Sequence, residues 1–335
     1  MKINKFLAIL CCAFLATAVV SCHKDSDDDD TEYLSGTLTF SIPTYLSPGD
    51  ELTLIPEGEV TTTSGGTVGY YWYTSEDTAK DTTRFEKDPV SVTGNFDFVV
   101  PEDFTGRLTV YCVAFAEGFY NKSAANTIAV VDDSSLSIPS LSDEDPMFVD
   151  ERDGKSYRYV TIGGLDWMAE NLSYGSRPFL GYEVLQGAFG CMYTWEEAMA
   201  SCPDGWRLPD QNDWASLSAA LESEGGVHDI FKGLAGKLMT NGYFNDVKLW
   251  DFIPAVKITG ESKMNLLPYG YGVMDDDGEI IYDGFGKYCV LWTAEESGED
   301  KAYYRYIYEE LPDVSLGEGS KTFFIAPVRC VRNAE

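Results

Sequence analysis

The chain has 335 residues and a formal net charge of −31, with 24 basic against 55 acidic residues. So few cations argue against nucleic acid, whose phosphates need many, and against electrostatic docking on anionic lipid. Its length suggests two domains, and 44% hydrophobic with 14% aromatic residues is a globular composition.

Residues 1–21 read as a signal peptide. Lys2 and Lys5 form a cationic start, and Phe6–Val20 is an apolar run too short for a stable membrane span. Val19-Val20-Ser21-Cys22 resembles a lipobox, which implies cleavage after Ser21 and acylation of Cys22. More than one acyl chain is needed for a durable anchor, so the expected contact with the membrane is through lipid alone. Residues 22–32, with Asp27–Asp30, form an acidic tether that cannot bury a core. An acidic run directly after a lipidated cysteine resembles the surface-export signal of Bacteroidota-type lipoproteins. That resemblance implies an outer-membrane protein, lipid-anchored and facing the cell exterior.

Residues 33–131 read as an all-β domain. Phe96, Phe98 and Val100 alternate, as do Leu108, Val110, Cys112 and Ala114. Tyr70–Tyr73 is an aromatic strand centred on Trp72. About seven short strands suggest a sandwich, and the pattern resembles PKD and other Ig-like domains of bacterial surface proteins. Cys112, inside a strand, is expected to be a buried free thiol. Asp77-Thr78-Ala79 and Asp81-Thr82-Thr83 resemble short O-glycosylation motifs at Thr78 and Thr82, with a plain polar loop as the alternative. Residues 132–146, rich in Ser, Asp and Pro, read as a linker.

The second domain spans residues 147–335. Ser156–Ile162 and Leu165–Ala169 read as a hairpin. Thr194 with Glu197 is a capping box that starts a helix over Trp195–Ser201, which Pro203 and Gly205 stop. Asp210 with Asp213 starts a second helix, expected to run to Gly225-Gly226 with Trp214, Leu217 and Leu221 on one face. Trp195, Trp206 and Trp214 are expected core anchors, because such rings bury large areas. Aromatic strands follow at Leu266–Val273, Tyr288–Thr293, Ala302–Tyr308 and Thr322–Val331. Segregated helices and strands fit an α+β class. Export allows disulfides among Cys191, Cys202, Cys289 and Cys330, but spacing leaves their pairing open.

An ordered series of motifs carries a resemblance over Phe148–Arg332. It comprises Asp153-Gly154-Lys155, Trp167-Met168-Ala169-Glu170-Asn171-Leu172, Tyr193-Thr194-Trp195 and Cys202-Pro203-Asp204-Gly205-Trp206. Leu267-Pro268-Tyr269-Gly270, Trp292-Thr293-Ala294-Glu295 and Val328-Arg329-Cys330-Val331 complete it. The series resembles the FISUMP (Fibrobacter succinogenes major paralogous) domain. That implies an α+β fold of C-type-lectin-like or formylglycine-generating-enzyme-like type. It goes with a location rather than a defined activity. Cys191 and Cys289 depart from the usual pattern together, so they are expected to pair with each other. Cys202 and Cys330 are expected to join the helix end to the last strand.

The residues give little support for chemistry. There are two histidines, His23 in the tether and His228 in a loop, which excludes a His-based triad and a multi-histidine zinc site. Asp275–Glu279 lacks the spacing of a calcium loop and reads as a hairpin turn. No metal, cofactor or enzymatic activity is expected. The one route to an enzyme is kinship with formylglycine-generating oxidases, with Cys289 and Cys330 as candidates by position only. The expected function is instead binding of a glycan or a surface protein through aromatics in the last third. The candidates are Tyr269, Tyr271, Trp292, Tyr303, Tyr304 and Arg305, with Tyr174–Ala188 and Glu310–Ser320 as rims. The competing expectation is a structural envelope component or adhesin subunit without a small ligand.

Overall fold

The computed structural model of the chain describes residues 31–75, 94–175, 177–250 and 256–334. The signal peptide, Cys22, most of the tether, Thr78 and Thr82 lie outside the described residues. The chain divides into two units between Asp132 and Asp133. It is mostly β, in several small sheets.

In the first unit the alternation read from sequence becomes a two-sided core. Strand Gly106–Phe115 buries Leu108, Val110, Cys112 and Ala114 completely. It pairs antiparallel with Gly69–Thr74 on one side and Lys122–Val130 on the other; Tyr45–Leu46 adds parallel to the latter. A separate pair, Glu51–Leu54 with Phe96–Val99, contributes Leu54 and Phe98 to the same core. This arrangement is consistent with a sandwich. Trp72 lies edge-on to Phe40, and its indole N–H donates to the Gly94 carbonyl at 2.7 Å. Cys112 is a buried free thiol. The expected first strand at 36–42 is largely absent: only Ser35–Gly36 pairs there, with Val60–Thr61, and Thr39 makes an isolated bridge to Glu57.

The second unit begins earlier than expected. The stretch read as a linker is part of it: Leu136–Ser137 pairs with Tyr243–Phe244, and the Ser140 hydroxyl contacts Thr240 Oγ1 at 2.8 Å and donates to Asn265 Oδ1 at 2.6 Å. Ser140 and Asp145, whose carboxylate accepts from the Lys263 ammonium at 2.7 Å, tie this stretch to the unit. A second sheet runs in the order Met147–Val149, Ser156–Ile162, Leu165–Met168, Val331–Asn333, so the chain end closes onto the starting hairpin.

Both capping boxes form. The Thr194 hydroxyl accepts from the Glu197 N–H, while the Glu197 carboxylate accepts from the Thr194 N–H. Asp210 and Asp213 do the same at the start of Gln211–Ala220. That helix ends at Ala220, before the glycine pair, because Leu221 leaves helical geometry and Glu222 follows at φ 52°. Trp195, Trp206 and Trp214 are all buried.

The late strands are bounded differently than the aromatic runs suggest: those expected at 266–273 and 322–331 are shorter, while Tyr288–Glu296 and Lys301–Tyr308 run slightly longer. Tyr271–Met274 pairs with Ile280–Asp283 around Asp275, whose carboxylate accepts the Asp277 and Glu279 N–H groups at 3.0 and 2.9 Å. Phe324–Ile325 replaces the expected long last strand. Val314–Ser320, read as a loop rim, is instead a strand beside Lys301–Tyr308, which in turn pairs with Tyr288–Glu296.

Two covalent and polar ties hold the chain end. Cys202 and Cys330 form a disulfide across 128 residues. The adjacent Arg329 is buried, and all five of its N–H donors find acceptors. Nε donates to Asn171 Oδ1 at 2.7 Å, Nη1 to the Met168 and Met264 carbonyls at 3.1 and 2.6 Å, and Nη2 to the Asn265 carbonyl and the Tyr269 hydroxyl at 3.2 and 2.8 Å. Closing so long a loop removes much unfolded-chain entropy. Reduction of the Cys202–Cys330 bond is therefore expected to lower unfolding free energy by about 2–5 kcal/mol, read as a shift in the urea midpoint with and without reductant. An unchanged midpoint would refute that contribution.

Candidate ligand-binding site

The sheet Tyr288–Glu296, Lys301–Tyr308, Val314–Ser320 is covered on both faces, so strand alternation divides the candidate residues between two environments. On one face Val290 and Trp292 enter a core with Cys191, Tyr193, Trp195 and Trp206. Trp292 is fully buried, and its indole N–H donates to the Tyr193 carbonyl at 2.8 Å. On the other face Arg305 is buried: Nε donates to Gln211 Oε1 at 2.8 Å, Nη1 donates to the Asp229 carbonyl, and the guanidinium carbon lies over Phe231, 4.2 Å from the ring centroid.

 Burial pushes the Arg305 pKa down to about 10, so the group stays cationic at neutral pH. Tyr269 is buried too, with its hydroxyl held by Arg329. Trp292 and Arg305 are therefore core residues, turned inward by the alternation that leaves their strand neighbours half-buried, and Tyr269 is buried beside a separate cleft.

The remaining candidates are half-buried and separate into two places. Tyr303 lies on the Arg305 face, its ring 5.3 Å from that of His228. The His228 Nε2 is 2.6 Å from Glu295 Oε2, and Glu295 Oε1 accepts from the Gln211 N–H at 3.3 Å. Gln211, His228 and Glu295 were not legible as a group, because they come from three separate segments.

Tyr271 and Tyr304 belong to the opposite face, in a closed circuit of five rings. Tyr271 stacks on Phe324 (centroids 5.3 Å apart), Phe324 on Tyr304 (4.9 Å), and Tyr304 meets Tyr306 (6.0 Å). Tyr306 meets Tyr288 (6.3 Å), which returns to Tyr271 (6.2 Å). Tyr308 stacks on Tyr288 at 4.7 Å, extending the strip. All six rings are half-buried, and the five of the circuit pack against the core that holds Trp292. Gly317 makes this packing possible, since a Cβ there would meet Tyr304 Cε2 at 2.3 Å. Burial and then Asp283, whose carboxylate accepts from the Tyr271 hydroxyl at 3.2 Å, push the Tyr271 pKa up to about 12. The strip thus offers apolar ring surface, neutral hydroxyls and an acidic neighbour.

The cysteines settle into two kinds. Cys202–Cys330 is bonded as expected, but Cys191 and Cys289 are free and buried. Cys191 packs in the core shared by Val290 and Trp292, whereas alternation turns Cys289 to the other face of that strand, so the sheet lies between them. The Cys191 thiol donates to the Ser173 carbonyl at 3.3 Å.

This second unit is a mostly β domain stapled at its end and carrying a half-exposed aromatic strip. The chain belongs to the Fibrobacter succinogenes major domain family, which matches residues 160–332. No curated protein and no solved structure matches it.

Burial pushes the free thiols up, to about 12 for Cys112 and Cys289 and about 11 for Cys191. A thiol protonated in the fold and ionised in the unfolded chain favours the fold only below the unfolded pKa, ordinarily near 9. Stability from these groups is therefore full below pH 9 and falls as pH rises towards 11–12. Thiol titration at pH 8 is expected to find all three unreactive until denaturant is added. Rapid labelling of the folded chain would refute their burial.

Proposed function

We propose that the chain is a lipid-anchored, surface-exposed outer-membrane protein, non-enzymatic, whose second unit binds a glycan or a protein ligand. In this proposal the first unit is an Ig-like or PKD-type spacer, and the second an α+β domain of C-type-lectin-like type. Membership of the family suggests a surface-type protein. The observation that carries the binding role is the closed circuit of half-buried rings formed by Tyr271, Tyr288, Tyr304, Tyr306 and Phe324. Aromatic faces suit sugar rings and partner side chains, and here their positions are fixed before any ligand arrives.

The thiols support the non-enzymatic reading. The oxidase route would need a reactive cysteine pair, yet Cys289 is a buried thiol and Cys330 is bonded to Cys202. An assembly role has one observation in its favour. Ile280–Asp283 is an edge strand of its sheet, and Ile281 on it is 69% exposed beside Val273.

On a glycan array, purified full-length protein is expected to give a signal that drops about tenfold or more in a Tyr288→Ala, Tyr306→Ala variant of unchanged melting temperature. An unchanged signal would remove the strip from binding. A blank array, with crosslinks on intact cells that the same variant abolishes, would assign the strip to a protein partner. For the anchor, palmitate labelling is expected to disappear in Cys22→Ser; labelling that persists would sink the lipidation proposal.

A further inference from the structure

A cleft of about 700 Å³ opens in the second unit, away from the aromatic strip. It is assembled from segments far apart in sequence. Residues 133–141 supply one wall, Lys155 and Arg158 another, and Glu170, Asn171 and Tyr269 lie along it. Three motifs noted in the sequence meet here: Asp153-Gly154-Lys155, the Trp167–Leu172 run and Leu267–Gly270. None of their residues facing this cleft belongs to the ring circuit.

The cleft is preformed. Arg329 pins Asn171 and Tyr269 from beneath. Ser140 ties the 133–141 wall to Thr240 and Asn265. The Lys155 ammonium donates to the Gly187 carbonyl at 3.0 Å, which leaves two of its three donors for another acceptor. Arg158 is held by the Ser142 carbonyl at 3.2 Å, and its Nη1 lies 3.5 Å from Glu170 Oε1. A volume of this order suits a small-molecule site, and fixed polar groups lower the cost of binding.

The charges decide the ligand class. Among the lining residues two cations, Lys155 and Arg158, face two anions, Asp133 and Glu170, and Arg158 also pairs with Asp143 Oδ1 at 3.3 Å; the cations already have carboxylate partners, so a ligand's net charge would find no uncompensated counter-charge. The signs are interleaved rather than gathered at opposite ends. Glu170 sits against Arg158 and, with Asp133, also acts on Lys155. A zwitterion needs a positive end and a negative end, which this arrangement does not provide. A hydroxyl does suit it, because each one can accept from a cationic N–H and donate to a carboxylate. Leu136, Ile138 and Leu141 add an apolar wall for C–H groups.

We propose that this cleft is a second binding site, specific for a neutral sugar unit. Hydroxyls of the sugar accept from Lys155 and Arg158 and donate to Glu170 and Asp133, while its C–H face lies against Ile138 and Leu141. The site is independent of the aromatic strip and does not rest on the strip's assignment.

The test is saturation-transfer NMR on the full-length protein with neutral mono- and disaccharides, run beside the matching uronic acids, hexosamines and free amino acids. Neutral sugars are expected to bind. Ala188→Trp, which fills the cleft, and Lys155→Met, which removes a donor, should each weaken them about tenfold or more with melting temperature unchanged. The Tyr288→Ala, Tyr306→Ala variant, in which the strip cannot contribute, should still bind them, and Ala188→Trp added to it should remove that binding. Neutral-sugar binding that survives Ala188→Trp in the tyrosine-variant background, or that the tyrosine variant loses entirely by itself, would overturn the cleft as the site. A cleft that takes charged probes alone, or none of the panel, would overturn the ligand class. Because the strip is tested by its own variant, either site can fail without the other.

Discussion

The buried guanidinium of Arg329 is the interaction on which the second unit depends. It spends every donor it has on neutral acceptors from the Met168–Asn171 and Met264–Tyr269 segments, and so fixes two chain passages against the last strand. A charge out of water is costly unless its hydrogen bonds are complete, and here they are complete. An apolar residue in its place would leave buried carbonyls without partners, and a lysine could not reach this many acceptors in one plane. The Cys202–Cys330 bond then holds the residue next to Arg329, so the polar hub and the covalent tie act at one point.

From that point the architecture spreads outward. The final strand closes against Leu165–Met168, which completes the sheet begun by Met147–Val149. The same hub supports the floor of the charged cleft through Asn171 and Tyr269. Elsewhere in the unit, Trp292 anchors the ring circuit, lying 5.3 Å from Phe324 and 6.1 Å from Tyr304. One domain thus presents two chemically distinct surfaces, one of ring faces and one of paired charges. Each is held by a buried side chain whose own polar atoms are satisfied.

The late strands show why composition alone misplaces function. Tyr303, Tyr304, Arg305 and Tyr306 are consecutive, yet a strand sends alternate side chains to opposite faces. Because helix Gln211–Ala220 and the Trp195–Trp206 core cover the two faces, that alternation sends Arg305 to Gln211 and Phe231 and leaves Tyr304 and Tyr306 at the ring circuit. Cys191 and Cys289 fail to pair for the same reason. Their joint appearance suggested a bond, but the strand puts its own sheet between them.

Local rules read directly from the residues account for the capping boxes at Thr194 and Asp210, the hairpin at Asp275, the buried tryptophans and the alternating core of Gly106–Phe115. Each depends on neighbours a few positions away, so a short stretch carries the whole signal. The family motifs likewise identify the second unit, since they recur in order along the chain. The meeting of Gln211, His228 and Glu295, the five partners of Arg329, the ring circuit that needs Phe324 and Gly317, and the union of Asp133, Lys155 and Glu170 in one cleft all join residues distant in sequence. Only tertiary packing decided them, because which face of a strand is covered, and by what, is a property of the folded chain and not of any window within it.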